Sequence, residues 1–264
     1  MSKHKDSGVT AKKHLGQHFL KDPSVSQRIA GLVSPSEEVC ILEIGPGTGA
    51  LTRPLIERFD QRVHVVEVDA ESVVHLQGSD WIANDHIHSA DILRSTPEEL
   101  GLTGDFALVG NFPYNISSQI LFKLLEWRGR VPECVGMFQK EVAERVCASH
   151  GSKVYGILSV LLQNYYRCDY EFTVGPDAFI PPPKVHSGVI RLTRTPENDP
   201  EVDHDVLRKV VKAGFGQRRK TLRNALRAGG FDGDSIPEQW LGQRAEQLSP
   251  TEFVELAKQV RPAT

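Results

Sequence analysis

Cysteine is scarce: the chain of 264 residues holds four, Cys40, Cys134, Cys147 and Cys168. They show neither C-x-x-C spacing nor any other metal-ligand pairing, so no metal is implied, and they read as buried thiols of a cytoplasmic protein. Long apolar runs are missing as well. No stretch reaches the length needed to cross a membrane, and the opening Met1-Ser2-Lys3-His4-Lys5-Asp6 has no apolar core of a signal peptide, so no membrane contact is expected. Nor is there a large excess of charge: the formal net charge of −3 argues against a uniformly basic nucleic-acid binder. Internal repeats and low-complexity segments are absent too. What remains is a chain 39% hydrophobic, enough at this length for one sizeable core and a small appendage.

Within that chain, Val39-Cys40-Ile41-Leu42-Glu43-Ile44 reads as a buried strand running into Gly45-Pro46-Gly47-Thr48-Gly49. Leu51, Leu55, Ile56 and Phe59 then fall at helical spacing, from about Ala50 to Phe59. Strand, Gly-rich turn and helix make the first unit of a doubly wound nucleotide-binding sheet, in which glycines let the backbone approach a ligand closely. The spacing is G-x-G-x-G rather than the dinucleotide G-x-G-x-x-G, which weakens an NAD reading. A second strand, Arg62–Asp69, ends in Glu67 and Asp69 on one face, where a carboxylate meets ribose hydroxyls in such folds. Glu67 is the expected ligand, with Asp69 open to capping the next helix. A third strand, His86–Ser89, finishes at Asp91, which reads either as an acceptor for an adenine amino group or as a turn residue.

The stretch Asn111-Phe112-Pro113-Tyr114 follows the apolar run Phe106–Gly110. An Asn side-chain oxygen and a backbone carbonyl held beside a proline can each accept from an exocyclic NH2, and Tyr114 can offer a flat face to a base. Proline lacks an N–H and restricts its neighbour, so the carbonyl direction is set in advance. By itself the stretch reads equally as a corner at a strand end.

Gly45–Gly49, Glu67, Asp91 and Asn111–Tyr114 together resemble the S-adenosylmethionine-dependent rRNA adenine N6,N6-dimethyltransferases, most closely the bacterial branch acting on 16S rRNA. Lys13–Leu20, Phe179–Ser187 and Phe215–Leu222 extend the likeness over nearly the whole chain, in the family's order. The resemblance implies an α/β fold, a Rossmann-like class I methyltransferase sheet with helices on both faces, plus a small C-terminal helical domain. It implies S-adenosylmethionine as methyl donor, held by His18, Leu20, Gly45, Gly47, Glu67, Asp91 and Asn111, and catalysis by Asn111, Phe112, Pro113 and Tyr114. Phe179 is the candidate for a second stacking face, although on its own it reads as a core residue beside a proline run. The chain departs from the family pattern at His18, where Asn is frequent, at Phe112, where Leu is usual, and at His186, where Asp is frequent. Phe112 raises the question of room for a nitrogen that already carries one methyl.

Charge distribution adds a partner. Residues 208–227 carry Arg208, Lys209, Lys212, Arg218, Arg219, Lys220, Arg223 and Arg227 with no acid, and the first 21 residues carry five lysines against Asp6. A solvated face is the plain reading of one such run; two in an otherwise acidic chain point to phosphate contacts. Arg218, Arg219, Lys220, Arg223 and Arg227 are the expected RNA contacts, with Arg219, Arg223 and Arg227 at i, i+4 and i+8 on one helix face. The expected organisation is a basic flexible tail over 1–12, a catalytic domain over 13–193, a linker over 194–203 and a helical RNA-binding domain over 204–264. Helices are expected over Ser117–Glu126 and Val154–Tyr165, and strands over Glu133–Phe138, Tyr170–Val174 and Val189–Leu192. The expected partner is 16S rRNA in 30S or pre-30S particles, with no obligate protein partner. A large-subunit enzyme of antibiotic-resistance type and a mainly non-catalytic assembly factor are the competing readings.

Overall fold

The computed structural model describes residues 8–196 and 199–263. The chain divides into two compact units: one takes the chain up to Ala143 together with Asp169–Arg194, the other Glu144–Cys168 and the chain from Thr195 on.

In the first unit, a two-residue strand β1 (Phe19–Leu20) precedes helix α1 (Pro23–Leu32), which Asp22 caps by accepting from the Ser24 N–H. Then β2 (Cys40–Ile44), α2 (Thr52–Phe59), β3 (Val63–Glu67), α3 (Ala70–Gln77), β4 (Ile87–Ser89), β5 (Phe106–Asn111), α4 (Ser117–Glu126) and β6 (Glu133–Gln139) alternate. Past α5 (Lys140–Val146) and α6 (Ile157–Gln163) come β7 (Tyr166–Val174), β8 (Phe179–Ile180) and β9 (Ser187–Arg194). The main sheet has the order β4-β3-β2-β5-β6-β9-β7. From β4 to β6 every pairing is parallel, and β9 lies antiparallel on β6. This is the Rossmann-like sheet expected from sequence. Its chain runs outward from β2 through β3 to β4, then returns to the other side of β2 as β5. Right-handed crossovers in opposite directions set α2 and α3 on one face and α4 on the other. Both faces are covered accordingly: Ile41, Val65 and Val109 are buried toward one side, and the alternate residues Leu42 and Leu108 toward the other. The reversal between β2 and β5 is the topological switch point, where the ends of both strands open a crevice.

Several expectations shift. Residues 1–7 of the expected tail, with Lys3 and Lys5, lie outside the described residues. The tail does not extend to residue 12 as an unattached segment, because Val9 is buried and the Lys12 ammonium pairs with Asp69 and Glu71. The helix expected over Val154–Tyr165 is the shorter α6, and it belongs with the second unit rather than the sheet. Leu158, Val160, Leu161 and Leu162 are all buried, so α6 is apolar nearly all round and needs helices about it, α7 (His204–Gly216) and α10 (Pro250–Gln259). Between those two come α8 (Leu222–Ala228) and α9 (Glu238–Leu241). Asp203 caps α7 by accepting from the N–H groups of Asp205 and Val206, and Ser249 with Glu252 forms a capping box on α10. Of the expected linker, Arg194 closes β9 and Asp203 serves as this cap, while residues 197–198 lie outside the described set. Of the four thiols only Cys134 is fully buried; the other three are half-buried.

Candidate functional site

The Gly-rich turn at the end of β2 needs glycine for two separate reasons. Gly45, Gly47 and Gly49 have φ of +68°, +57° and +81°, which side chains disfavour. A Cβ on Gly47 would also sit 2.9 Å from the Phe19 ring. The Gly47 N–H donates to Oε2 of Glu67 at 3.2 Å, while the N–H groups of Val68 and Asp69 donate to Oε1 at 2.9 Å. Glu67 is 4% exposed, and burial raises its pKa above the usual carboxylate range against the pull of these N–H groups. Asp69, on the same face, has a structural assignment: it caps α3 through the Glu71 N–H and accepts from Lys12, Gln17 and Ser72. Burial works to raise its pKa, but Lys12 and Gln17 hold it below the ordinary value. Glu67, not Asp69, lines the cavity.

At the end of β5, the Asn111 side-chain NH2 donates to the His18 carbonyl at 2.9 Å. A carbonyl only accepts, so this bond fixes which way the amide points and leaves Oδ1 as the acceptor available to a ligand. The same reasoning assigns His18: its Nδ1 lies 2.8 Å from the Pro181 carbonyl and therefore carries a proton. The ring of His18 stands 5.4 Å from that of Tyr114, tilted by 33°. Tyr114 in turn hydrogen-bonds Ser187, and burial raises the pKa of its phenol. Of the two carbonyls beside Pro113, that of Pro113 accepts from the Ile116 N–H at 3.2 Å, closing a turn. The Phe112 carbonyl takes no backbone donor among the described residues. The Phe112 N–H donates to Met137 at 3.1 Å, and its ring packs 4.9 Å from that of Phe138. Gly110 and Gly136 make space for that ring, because a Cβ on Gly136 would stand 2.1 Å from Phe112 Cε2. The extra bulk of Phe over Leu is thus taken up by two glycines of the sheet.

A cavity of about 220 Å3 brings His18, Gly45, Gly47, Glu67, Asp91, Asn111, Phe112, Pro113 and Tyr114 together. Asp91 lines this cavity, and its Oδ1 accepts from the Leu93 N–H at 3.0 Å, as its reading as a turn residue requires. Two expected residues lie elsewhere. Leu20 pairs with Phe179 across the β1–β8 ribbon, and both are packed in the hydrophobic core, with Phe179 only 1% exposed. Phe179 therefore offers no stacking face in this structure. Sequence reasoning missed Phe19, Gln17 and Leu93 as lining residues. Alternation along β1 is the signal that separates Phe19 from Leu20, but a strand of two residues is too short to display it.

The expected RNA contacts of the second unit separate into two kinds. Arg218 donates to the carbonyls of Lys153 and Tyr155 at 2.6 and 2.7 Å. Arg223 and Arg227 both bond Oδ1 of Asp234, at 2.9 and 3.0 Å. Arg219 precedes α8, so the expected i, i+4, i+8 stripe reduces to Arg223 and Arg227. Arg219 and Lys220 are exposed and form no ion pair among the described residues. No group of side chains able to hold a metal occurs among the described residues, and no helix there is long and apolar enough to cross a membrane.

The donor set fits S-adenosylmethionine: a glycine turn against which a ligand can lie, the buried Glu67 carboxylate bonded to that turn as an acceptor suited to hydroxyls, and Asp91 in the same cavity as a second acceptor. Comparison with known proteins agrees. The sequence profile of a family described as ribosomal RNA adenine dimethylase matches residues 8–257. The chain is 49% identical to ribosomal RNA small subunit methyltransferase A of Bacteroides thetaiotaomicron, over 97% of this chain and 96% of that protein. It is also 49% identical to the protein of the same name from Porphyromonas gingivalis, over 94% of this chain and 96% of that one. In fold it is similar to a dimethyladenosine transferase from Plasmodium falciparum, with a TM-score of 0.76 and 24% identity over 90% of this chain and 96% of that one. The 23S rRNA methyltransferase ErmE also shares the fold, with a TM-score of 0.69 and 24% identity over 91% of this chain and 98% of that one.

Proposed function

The chain belongs to the ribosomal RNA adenine dimethylase family, and from that membership we propose that it transfers two methyl groups from S-adenosylmethionine to N6 of each of two adjacent adenosines near the 3′ end of 16S rRNA. The substrate is the small-subunit RNA within 30S or pre-30S particles, and the protein takes part in small-subunit biogenesis. The observation that carries the reading is the Asn111–His18 bond, which leaves Oδ1 of Asn111 as an acceptor in a cavity that Phe112 and Tyr114 also line.

The cofactor supplies an electrophilic sulfonium methyl. Glu67 would hold the ribose hydroxyls of its adenosine and Asp91 the adenine amino group, against the turn of Gly45 and Gly47. His18 closes the same cavity. The target base leaves its stack, and Tyr114 provides an aromatic face worth about 1–3 kcal/mol per base, offsetting part of the unstacking cost. Adenine N6 is a weak nucleophile because its lone pair is delocalised into the ring. Hydrogen bonds from N6–H to Asn111 Oδ1 and the Phe112 carbonyl favour a more tetrahedral nitrogen and localise that pair. As N6 forms its bond to the methyl and the S–C bond breaks, positive charge grows on nitrogen, and the two oxygens stabilise it more than they stabilise the neutral amine. The methylated nitrogen then releases a proton to water, and the second transfer draws on a second S-adenosylmethionine with only the one remaining N–H to donate to an acceptor.

The test is incubation with methyl-labelled S-adenosylmethionine and undermethylated 30S particles, followed by RNA mass spectrometry. N6,N6-dimethyladenosine at adjacent positions near the 16S 3′ end is the expected product. Tight particle binding without label there supports the assembly-factor role instead, and label on large-subunit RNA supports the resistance-type enzyme. Asn111→Ala is expected to keep the fold and most cofactor affinity while kcat falls about 10²–10³-fold, the usual cost of one donor or acceptor aimed at developing charge.

A further inference from the structure

The second unit contains a groove of about 620 Å3 that the methyl-transfer reading does not use. Its walls are two helices. From α7 come Lys209, Lys212, Ala213 and Gly216, which fall at i, i+3, i+4 and i+7 and so share one face. From α8 come Ala225 and Ala228, followed by Gly229. Small residues let the helices approach closely: a Cβ on Gly229 would stand 2.4 Å from that of Ala213. Gln217 and the half-buried Phe231 line the groove as well.

Charge gives the groove its character. Among the described residues no carboxylate side chain lines it. Lys209 and Lys212 are exposed and form no ion pair among the described residues, whereas neighbouring Arg208 is paired with Asp205. Arg223 and Arg227 share Asp234. The cations left for an external anion on these two helices and their connecting loop are therefore Lys209, Lys212, Arg219 and Lys220. Arg219 and Lys220 lie two and three residues beyond Gln217 in the chain.

We propose that this groove seats a single-stranded nucleotide of the substrate rRNA, its flanking phosphates on Lys209 and Lys212 and its base over the alanine and glycine floor against Phe231. Complementarity selects this occupant: two unpaired cations border an apolar floor with one aromatic wall, the pairing of features that holds single-stranded nucleic acid. A duplex fits less well, since its bases are stacked inside and offer no face to such a floor. The contact holds the RNA independently of the methyl-transfer cavity. The inference rests on the small-subunit rRNA reading above.

The experiment compares the full-length protein with two variants, Lys209→Glu/Lys212→Glu and Ala228→Phe. Ala228 is exposed, so Phe there obstructs the groove without altering charge or the buried core. Binding to undermethylated 30S particles and to deproteinised 16S rRNA is measured across salt concentrations, with melting curves and S-adenosylmethionine affinity as controls. The charge-reversal pair is expected to weaken binding to both probes and to reduce the slope of log K against log salt by about 1.4–1.8, the share of two phosphates. Ala228→Phe is expected to weaken binding about tenfold with the salt slope unchanged. Wild-type affinity and slope in the lysine variant overturn the proposal. So does loss on particles without loss on naked RNA, which makes the partner a protein, or wild-type binding by Ala228→Phe, which removes the base seat. If wild-type protein neither binds nor methylates 16S rRNA, the functional reading fails instead; methylating wild type with indifferent variants sinks only the groove.

Discussion

At the residue scale, the site depends on contacts whose chemistry permits one arrangement. Asn111 keeps its oxygen as the free acceptor because its NH2 is the group that meets the His18 carbonyl. Phe112 enters the sheet because Gly110 and Gly136 carry no Cβ. Gly136→Ala is expected to destabilise the protein by about 1–3 kcal/mol in denaturant titrations, the usual cost of overpacking a core. Adding Phe112→Leu should restore most of that loss, whereas a double variant no more stable than Gly136→Ala alone would show that the ring does not own the slot. Glu43 offers a second test. It is 1% exposed with Oε2 lacking a hydrogen-bond partner, and burial pushes its pKa up to about 8, opposed by the Thr52 hydroxyl and reinforced by the charge of Glu67. Between the ordinary carboxylate value of 4.5 and about 8, the folded state then holds a proton that the unfolded chain has lost. Stability should fall as pH rises through that window, by up to about 1.4 kcal/mol per pH unit for this one group. Glu43→Gln should flatten the slope in chemical denaturation at pH 5 through 8; an unchanged slope would place the charge elsewhere. The sequence displayed Gly45, Glu67, Asp91 and Asn111 because their strands and turns are regular. It hid the inward packing of Leu20 and left Phe179 open between a core residue and a stacking face; the two-residue ribbon between distant segments decides both.

At the element scale, the parts legible in advance are those with many periodic residues. α4 covers Ser117–Glu126 as its apolar spacing requires, with Ile120, Leu121, Leu124 and Leu125 buried. The strands ending at Ile44, Glu67 and Asn111 were readable for the same reason, each being a buried run that stops at a turn. α6 was misplaced because an all-apolar helix says that it is covered, not by what. Edge strand β4 carries a prediction of its own. His64 on β3 stacks on His86 at 4.2 Å and on His88 at 5.5 Å, with His64 Nδ1 3.2 Å from His88 Nε2. Burial first, then repulsion from His86 and His88, lowers the His64 pKa to about 4, with Asp85 opposing. Burial and His86 lower that of His88 as well. A depressed histidine contributes stability that is complete above the unfolded value of 6.5 and is lost as pH falls toward about 4. His64→Gln should therefore lessen the loss of stability between pH 6.5 and 4.5 in denaturant melts, and equal acid sensitivity in the variant would remove the stack from the account.

At the scale of the whole molecule, the sequence showed basic residues gathered in the C-terminal part of the chain, but charge counting could not say which cations are already spoken for. That depends on Asp234, which lies in the loop after α8 and outside the basic run that drew attention. The assignment separates two classes of variant. Arg219→Glu/Lys220→Glu should reduce affinity for 30S particles and lower the salt slope by about 1.4–1.8, because two phosphates lose their counter-charges. Arg223→Gln/Arg227→Gln should leave most of that slope intact, since in the free protein both guanidiniums are engaged with one carboxylate, and should shift the melting temperature only slightly, as exposed ion pairs do. In neither variant should S-adenosylmethionine affinity change, because none of these residues lines the cavity that holds Glu67 and Asn111. Equal losses of slope in the two variants would mean that Asp234 surrenders its partners to the RNA on binding.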